Sequence, residues 1–254
     1  MKRVFKALAA FFIVALVFIV SLVVNMPAVF VVRQLETLSP QATQVVQLQN
    51  VGGTVWQGNG TLIAPGVKGA LSWHLRPLGV FQGALPVEVD YRDNSLALNL
   101  VAEAGLGGTV TLAGGGWAEL SMLEPMLKPN RIEVGGRVDV KDLNIQADLE
   151  SQWLKSATGQ LSWPGGPVSY PVGAEMQSTT MPPLGGELTM EGDVLHLAIN
   201  QADTHGNLID IRIDKTLLAR VEARRRLVNI LGLPFNGKAA DDAVIFKVQQ
   251  RLGQ

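Results

Sequence analysis

Between Lys6 and Arg33 the chain runs 26 residues, 7–32, without one charged side chain. A helix needs about 20 apolar residues to cross a hydrocarbon core ~30 Å thick, so this stretch is long enough to span a bilayer. Lys2, Arg3 and Lys6 precede it, and after Arg33 no Lys or Arg occurs until Lys68. The positive-inside rule therefore keeps the short N-terminus in the cytoplasm and sends the rest across. A cleaved signal peptide has an apolar region of only about 7–15 residues and a small-x-small site. Here the run is longer, and Asn25-Met26-Pro27-Ala28 is a poor site. Pro27 stands where the helix should leave the bilayer; without an N–H and with a crowding ring, it is expected to kink the helix. The expected organisation is a cytoplasmic stub and transmembrane anchor over 1–32, followed by a folded domain over 33–254.

That second region is large enough for one sizeable core or two small ones. The chain holds no cysteine, which excludes disulfides, thiolate metal sites and cysteine nucleophiles. Its 21 basic and 22 acidic residues leave no global charge bias, so there is no electrostatic footprint for nucleic acid. The 27 glycines and 13 prolines are spread along the chain, as in short strands joined by turns.

A pattern recurs in which two glycines precede alternating apolar residues. It reads Gly52-Gly53-Thr54-Val55-Trp56-Gln57-Gly58, Gly107-Gly108-Thr109-Val110-Thr111-Leu112, Gly135-Gly136-Arg137-Val138-Asp139-Val140 and Gly185-Gly186-Glu187-Leu188-Thr189-Met190. Period-2 alternation places Val55, Val110, Val138 and Leu188 on one face of a strand, with the glycine pair at the strand entry. The same alternation predicts strands over 71–75, 85–91, 96–100, 143–149, 161–163, 195–199, 208–213 and 244–248. Asn94 and Gly192-Asp193 mark tight hairpin connections. The fold class is mainly β: a curved, mostly antiparallel sheet of about a dozen strands, with one apolar and one wet face.

Two helices are expected to interrupt the sheet. The first covers 119–127, with Leu120, Leu123 and Leu127 at helical spacing and Pro129 as its stop. The second covers 215–231 and ends at Gly232 and Pro234. Its stripe of Leu217, Leu218, Val221, Val228 and Leu231 leaves Arg220, Arg224, Arg225 and Arg226 largely on the other side. Two readings stay open for these arginines. They form either the solvated face of a packed helix or a docking face for an acidic partner or anionic headgroups.

A search for chemistry finds no constellation. His74, His196 and His205 lie in separate segments without ligand-type neighbours at metal spacing. Neither a Gly-x-Ser-x-Gly elbow nor a phosphate-cradling loop ending in Gly-Lys-Ser/Thr is present. Asp241-Asp242 reads as a turn or capping pair, because neighbours in a strand point to opposite faces. No catalytic residue, metal ligand or cofactor is assigned. Trp56, Trp73 and Trp163 are the remaining candidates, each expected in a strand beside Gly or Pro. Trp56 and Trp73 have different phases relative to their apolar neighbours, so some of the three should reach the less buried side. They serve either as interface anchors or as core filling.

The segment Val51-Gly52-Gly53-Thr54-Val55-Trp56-Gln57-Gly58, followed by Leu71-Ser72-Trp73-His74-Leu75-Arg76-Pro77-Leu78, resembles the type II secretion system protein N family. Gly159-Gln160-Leu161-Ser162-Trp163-Pro164-Gly165-Gly166 and Leu184-Gly185-Gly186-Glu187-Leu188 resemble its second half. The resemblance implies a non-enzymatic accessory component of the machine that moves folded proteins out of Gram-negative bacteria. It would sit in the inner membrane by a single span, with its C-terminal domain in the periplasm and other secretion proteins as partners. The chain is also distantly similar to AsmA-like envelope proteins, which implies as the alternative a lipid-binding or lipid-transfer groove. A hydrolase of envelope polymers would need clustered acids or a Ser-His pair that the sequence does not display.

Overall fold

In the computed structural model the described residues are 18, 21–38 and 46–251, apart from 65, 78, 80–82, 106, 152, 203, 205 and 234–236. Most of the uncharged run 7–32 therefore lies outside them. Residues 21–24 are helical, the helix breaks at 25–27, and a second one, α1 (Ala28–Leu38), follows. Pro27 stands at the break, as expected of it, and pairs with Thr54 in an isolated bridge. The expected boundary after Val32 falls inside α1. Among the described residues no helix is long and apolar enough to cross a membrane.

The strands are β1 (Gln47–Gly53), β2 (Gln57–Ala64), β3 (Val67–Leu75), β4 (Ala84–Arg92), β5 (Leu96–Gly105), β6 (Thr109–Glu119), β7 (Glu133–Val134), β8 (Arg137–Asp148) and β9 (Trp153–Trp163). They continue with β10 (Gly166–Val172), β11 (Glu175–Met181), β12 (Leu184–Glu191), β13 (Val194–Gln201), β14 (Asn207–Ile213), β15 (Leu218–Arg224) and β16 (Val244–Arg251). Thirteen of them form one antiparallel sheet in the order β1-β2-β3-β4-β5-β6-β8-β9-β12-β13-β14-β15-β16. The other three make a small sheet, β11-β10-β7. The large sheet is open, with β1 and β16 at its edges.

Cross-strand partners share a face, so the register shows which residues stand together. One chain of partners runs Leu71–Tyr91–Leu98–Gly116–Val140–Leu161–Gly186–Ile199–Ile209–Ala223–Phe246. Another runs Trp73–Val89–Leu100–Gly114–Leu143. The opposite face carries Ser72, Asp90, Asn99, Gln160, Glu187, Asp210, Glu222 and Lys247. An apolar face thus continues over eleven strands, and Leu48 and Leu62, partnered in turn with Gly69, carry it onto β1 and β2. Val110, Val138 and Leu188 lie on it, as the alternation predicts.

Three connections at one end of the ladder are elaborate. Between β6 and β8 lie a 3-10 turn, the short helix α2 (Glu124–Leu127), a second 3-10 turn and β7. The small sheet's β10 and β11 join β9 to β12, and α3 (Arg225–Leu231) follows β15. At the other end, the described turns between β8 and β9, β12 and β13, and β14 and β15 are short. Asp93, Asp148 and Asp214 fasten three of the sheet's turns, each carboxylate accepting backbone N–H groups two or more residues on.

Four expectations need correction. The first glycine pair does not open a strand: β1 ends at Gly53 (φ +86), Thr54–Trp56 turn, and β2 begins at Gln57. Thr54 N–H donates to Gln57 O at 2.8 Å, closing a hairpin that takes Val55 and Trp56 out of the sheet. The second is the pair Gly185-Gly186, which lies inside β12 rather than before it. The helix over 119–127 is the third: β6 runs on to Glu119, and α2 spans only four residues between 3-10 turns. The fourth is the helix over 215–231, whose first part is the hairpin turn and strand β15; only Arg225–Leu231 is helical, closed by Gly232 at φ +67. Pairing of β15 with β14 and β16 along its whole length overrides its helical propensity.

Trp73 lies over Gly58, where a Cβ would overlap the indole ring and the Gly52 carbonyl. Gly58→Ala should therefore lower the unfolding free energy from denaturant titration by about 1–3 kcal/mol. Gly107→Ala, where a Cβ meets nothing, should change it by less than about 0.5 kcal/mol.

Candidate functional site

The apolar face deepens into a cleft of about 560 Å³ at the end of the ladder that carries the short turns. Ala147, Leu149, Trp153, Leu154, Leu195, Ile213 and Leu217 line it together with Asp148. These residues come from strands as far apart as β8 and β14, so the apolar face is concave here. Its rim is built by turns. Asp148 Oδ1 accepts the N–H groups of Glu150 and Ser151 at 2.8 and 3.0 Å, leaving Leu149 64 % exposed. Asp214 Oδ1 accepts from Thr216 N, Thr216 Oγ1 and Leu218 N, leaving Leu217 46 % exposed. Leu217 has φ +59, a left-handed conformation that costs a leucine about 1–2 kcal/mol. Trp153 Nε1 donates to Asp193 O at 2.9 Å and ties the first turn to the β12–β13 hairpin. The Lys155 ammonium, with the Ser151 and Glu150 N–H groups, lowers the Asp148 carboxyl to about 2.

The polar face over β12–β16 holds a second constellation. Asp210 is fully buried. Its Oδ1 meets His196 Nε2 at 2.9 Å and Asn207 Nδ2 at 2.8 Å, and its Oδ2 accepts from Arg224 Nε at 2.9 Å. His196 Nδ1 lies 2.8 Å from Glu191 Oε1. Arg212 lies between Glu191 and Glu222, and Lys247 reaches Glu222 at 2.6 Å. Burial alone would raise the Asp210 carboxyl, but the hydrogen bonds from His196, Arg224 and Asn207 outweigh it and hold it below its ordinary value. Both ring nitrogens of His196 are thus engaged with carboxylates, and the cluster reads as a structural lock across five strands. Among the described residues no group of three His, Cys, Asp or Glu is placed to hold a metal.

The residues singled out from the sequence fall in separate places. Trp56 lies in the β1–β2 turn, its Nε1 donating to Val23 O at 2.8 Å, which anchors the N-terminal segment. Trp73 donates to Val55 O and Trp163 to Gly135 O, both from the apolar face. None of the three reaches the polar face, contrary to the phase argument, because Trp56 has left the sheet. Arg220 pairs with Asp214 and Arg224 with Asp210. Arg225 donates to the carbonyls of Gly237 and Ala239, and Arg226 to Asp242 at 2.9 Å. Each arginine is engaged within the chain. Asp241 and Asp242 do form a turn, and their side chains accept from Asn229 and Arg226. His74 stands on the polar face of β3, and His205 is outside the described residues.

Sequence reasoning missed the rim leucines and the Asp210 lock. The rim had a signal: an apolar residue inside a turn that opens with Asp, at Asp148-Leu149 and at Asp214-Lys215-Thr216-Leu217.

These features define a mainly β protein whose single long sheet separates an apolar from a polar face. Residues 44–231 match the family described as type II secretion system (T2SS), protein N. That is well over half of the chain, which therefore belongs to this family, an accessory component of type II secretion, and works with other components of that system. The matched region runs from before β1 to the end of α3. No curated protein and no solved structure matches the chain.

Asp210→Asn leaves His196 and Arg224 without their charged partner, and breaking a buried pair costs about 3–5 kcal/mol. A carboxyl held low in the folded state stabilises in full above its unfolded value of about 4, and loses this as pH falls through the folded value. Below about pH 4 the parent chain should therefore lose this increment in acid titrations of stability, and Asp210→Asn should lack that component.

Proposed function

We propose that the chain is a non-enzymatic, inner-membrane-anchored accessory component of type II secretion, whose periplasmic β-domain contacts other secretion components. The family match over 44–231 carries this reading. Residues 1–32 supply the cytoplasmic stub and single-span anchor, and 33–254 the periplasmic domain. Support for the anchor comes from the uncharged run 7–32 and the cations before it. Among the described residues the N-terminal segment is tied to the β1–β2 turn by Trp56 to Val23, Val55 N–H to Met26 O and Pro27 to Thr54, and α1 packs against β1.

The continuous apolar face favours a second reading, an AsmA-like groove that binds or transfers lipid. The cleft beneath Leu149 and Leu217 is an apolar-lined part of that face that a hydrocarbon chain could enter. Exposed leucines, one held in a costly backbone conformation, are what a site for an apolar ligand would show.

One experiment separates the two. The full-length protein is isolated from its native membrane in mild detergent, and its proteins and lipids are read by mass spectrometry in one sample. Enriched secretion subunits without stoichiometric lipid support the accessory role. Tightly held phospholipid or lipopolysaccharide without those subunits replaces it by the groove. Leu149→Asn combined with Leu217→Asn sharpens the second arm. Asparagine tolerates the left-handed conformation, so the melting temperature should hold or rise. Retained lipid should fall in this variant if the cleft holds it, and unaltered lipid in a folded variant would remove that site.

A further inference from the structure

A sheet that does not close leaves two rows of unpaired backbone groups, and native proteins blunt such edges. β1 is blunted. Its register with β2 shifts between Gln49 and Gly52, Asn50 has φ +53, α1 packs against it, and Pro27 bridges to Thr54 just beyond it. β16 is different. It pairs with β15 from Arg224 to Leu218, and on its other side no described strand lies. Phe246 is 60 % and Val248 39 % exposed, and both belong to the apolar face, opposite Ala223 and Val221.

We propose that β16 pairs antiparallel with β16 of a second copy of this chain, with Val248 on the two-fold axis. The charges of the strand select that register. To keep the two apolar faces on one side, Phe246, Val248 and Gln250 must oppose one another. An axis through Lys247 would set lysine against lysine, and one through Gln249 would set Lys247 against Arg251. Like charges directly opposite each other destabilise a sheet. An axis through Phe246 would run the pairing into the register shift at Ala223/Arg224, where Val244 pairs with Arg224 and has changed face.

With Val248 on the axis, Phe246 meets Gln250 and Lys247 meets Gln249, and the paired stretch stops short of the register shift at Ile245. Phe246 then lies diagonal to Val248 of the other copy, within reach of an aromatic side chain. Lys247 keeps its contact with Glu222 of its own chain, at 2.6 Å. This isologous contact closes after two copies. Head-to-tail joining of β16 to β1 would make an open filament, which the bulge and α1 obstruct.

The absence of cysteine makes the test direct. The full-length chain carrying Val248→Cys is oxidised in mild detergent. Paired strands place opposed Cα atoms about 4.5–5.5 Å apart, within disulfide reach. A disulfide-linked dimer is expected. Phe246→Cys and Gln250→Cys should not cross-link alone, because each is about 13 Å along the strand from its own counterpart. Mixed together, those two variants should cross-link. Light scattering should give twice the chain mass for the parent and the single mass for Val248→Lys, with unchanged circular dichroism. A folded Val248→Cys that stays monomeric overturns the proposal. So does cross-linking that ignores position, or a cross-link from Val248→Cys in native membranes to another protein instead of to itself.

Discussion

Everything in this fold depends on keeping one phase. A slip of a single residue in any strand would turn its leucines and valines to the polar side. The sheet holds the phase for thirteen strands, and where the sequence breaks alternation the backbone absorbs the break. In β8 the apolar residues run Val138, Val140, then Leu143, Ile145, Ala147. The jump from 140 to 143 is taken up by an extra residue between Lys141 and Asn144, with Asp142 at φ +50. Gly116 still opposes Val140 and Gly114 opposes Leu143, so both halves of β8 face the same way. β1 does the same at Asn50 and β13–β14 between Ile199 and Asn200. These bulges re-phase the chain and are part of its specification.

The two faces are stabilised differently. Among the described residues only eight apolar side chains are buried, few for so long a sheet, because no second layer of comparable length covers it. Apolar surface is removed from water through the concavity of the face and the elements at one end. On the polar face, β12 to β16 are joined by charges whose partners are all within the chain. Asp210 is buried there at the expense of its hydration, and three donors from β13, β14 and β15 offset that loss. Arg224 belongs to this lock, while Arg220 pairs with Asp214, Arg225 with backbone carbonyls and Arg226 with Asp242, which is why a basic cluster conspicuous in the sequence presents so little free charge.

The antiparallel, mainly β architecture was legible because period-2 alternation is local and repeated. The error at 215–231 is instructive. Leu217, Leu218, Val221, Val228 and Leu231 fit a helical stripe, yet Arg220-Val221-Glu222-Ala223-Arg224 alternates just as well as a strand. Short apolar runs satisfy both periods, and only the neighbouring strands decide between them. Glycine pairs misled for a related reason: at Gly52-Gly53 the positive φ closes a hairpin, whereas at Gly107-Gly108 and Gly135-Gly136 the pair precedes a strand. The Asp210 lock was not legible, because His196, Asp210 and Arg224 become neighbours only through the β13–β14–β15 register. The Asn94 and Gly192-Asp193 turns were legible, since their chemistry lies within a few residues.

Beyond the N-terminal segment, most of the exposed large apolar residues among those described stand where the sheet stops. Leu149 and Leu217 stand on turns at the ends of strands, and Phe246 and Val248 on its last strand. An interior strand has neighbours on both sides and a concave face above it, so its apolar side chains are covered by the fold itself. A turn has neighbours on one side only, and an edge strand has half its backbone partners missing. The family match ends at residue 231, so the turns fall inside the shared region and the edge strand outside it. The rim is thus tied to what the family has in common, while the β16 edge belongs to a segment the match does not reach. A contact made at the rim and one made at the edge are therefore separable, and each is accessible to substitutions that leave the buried lock and the phase of the sheet untouched.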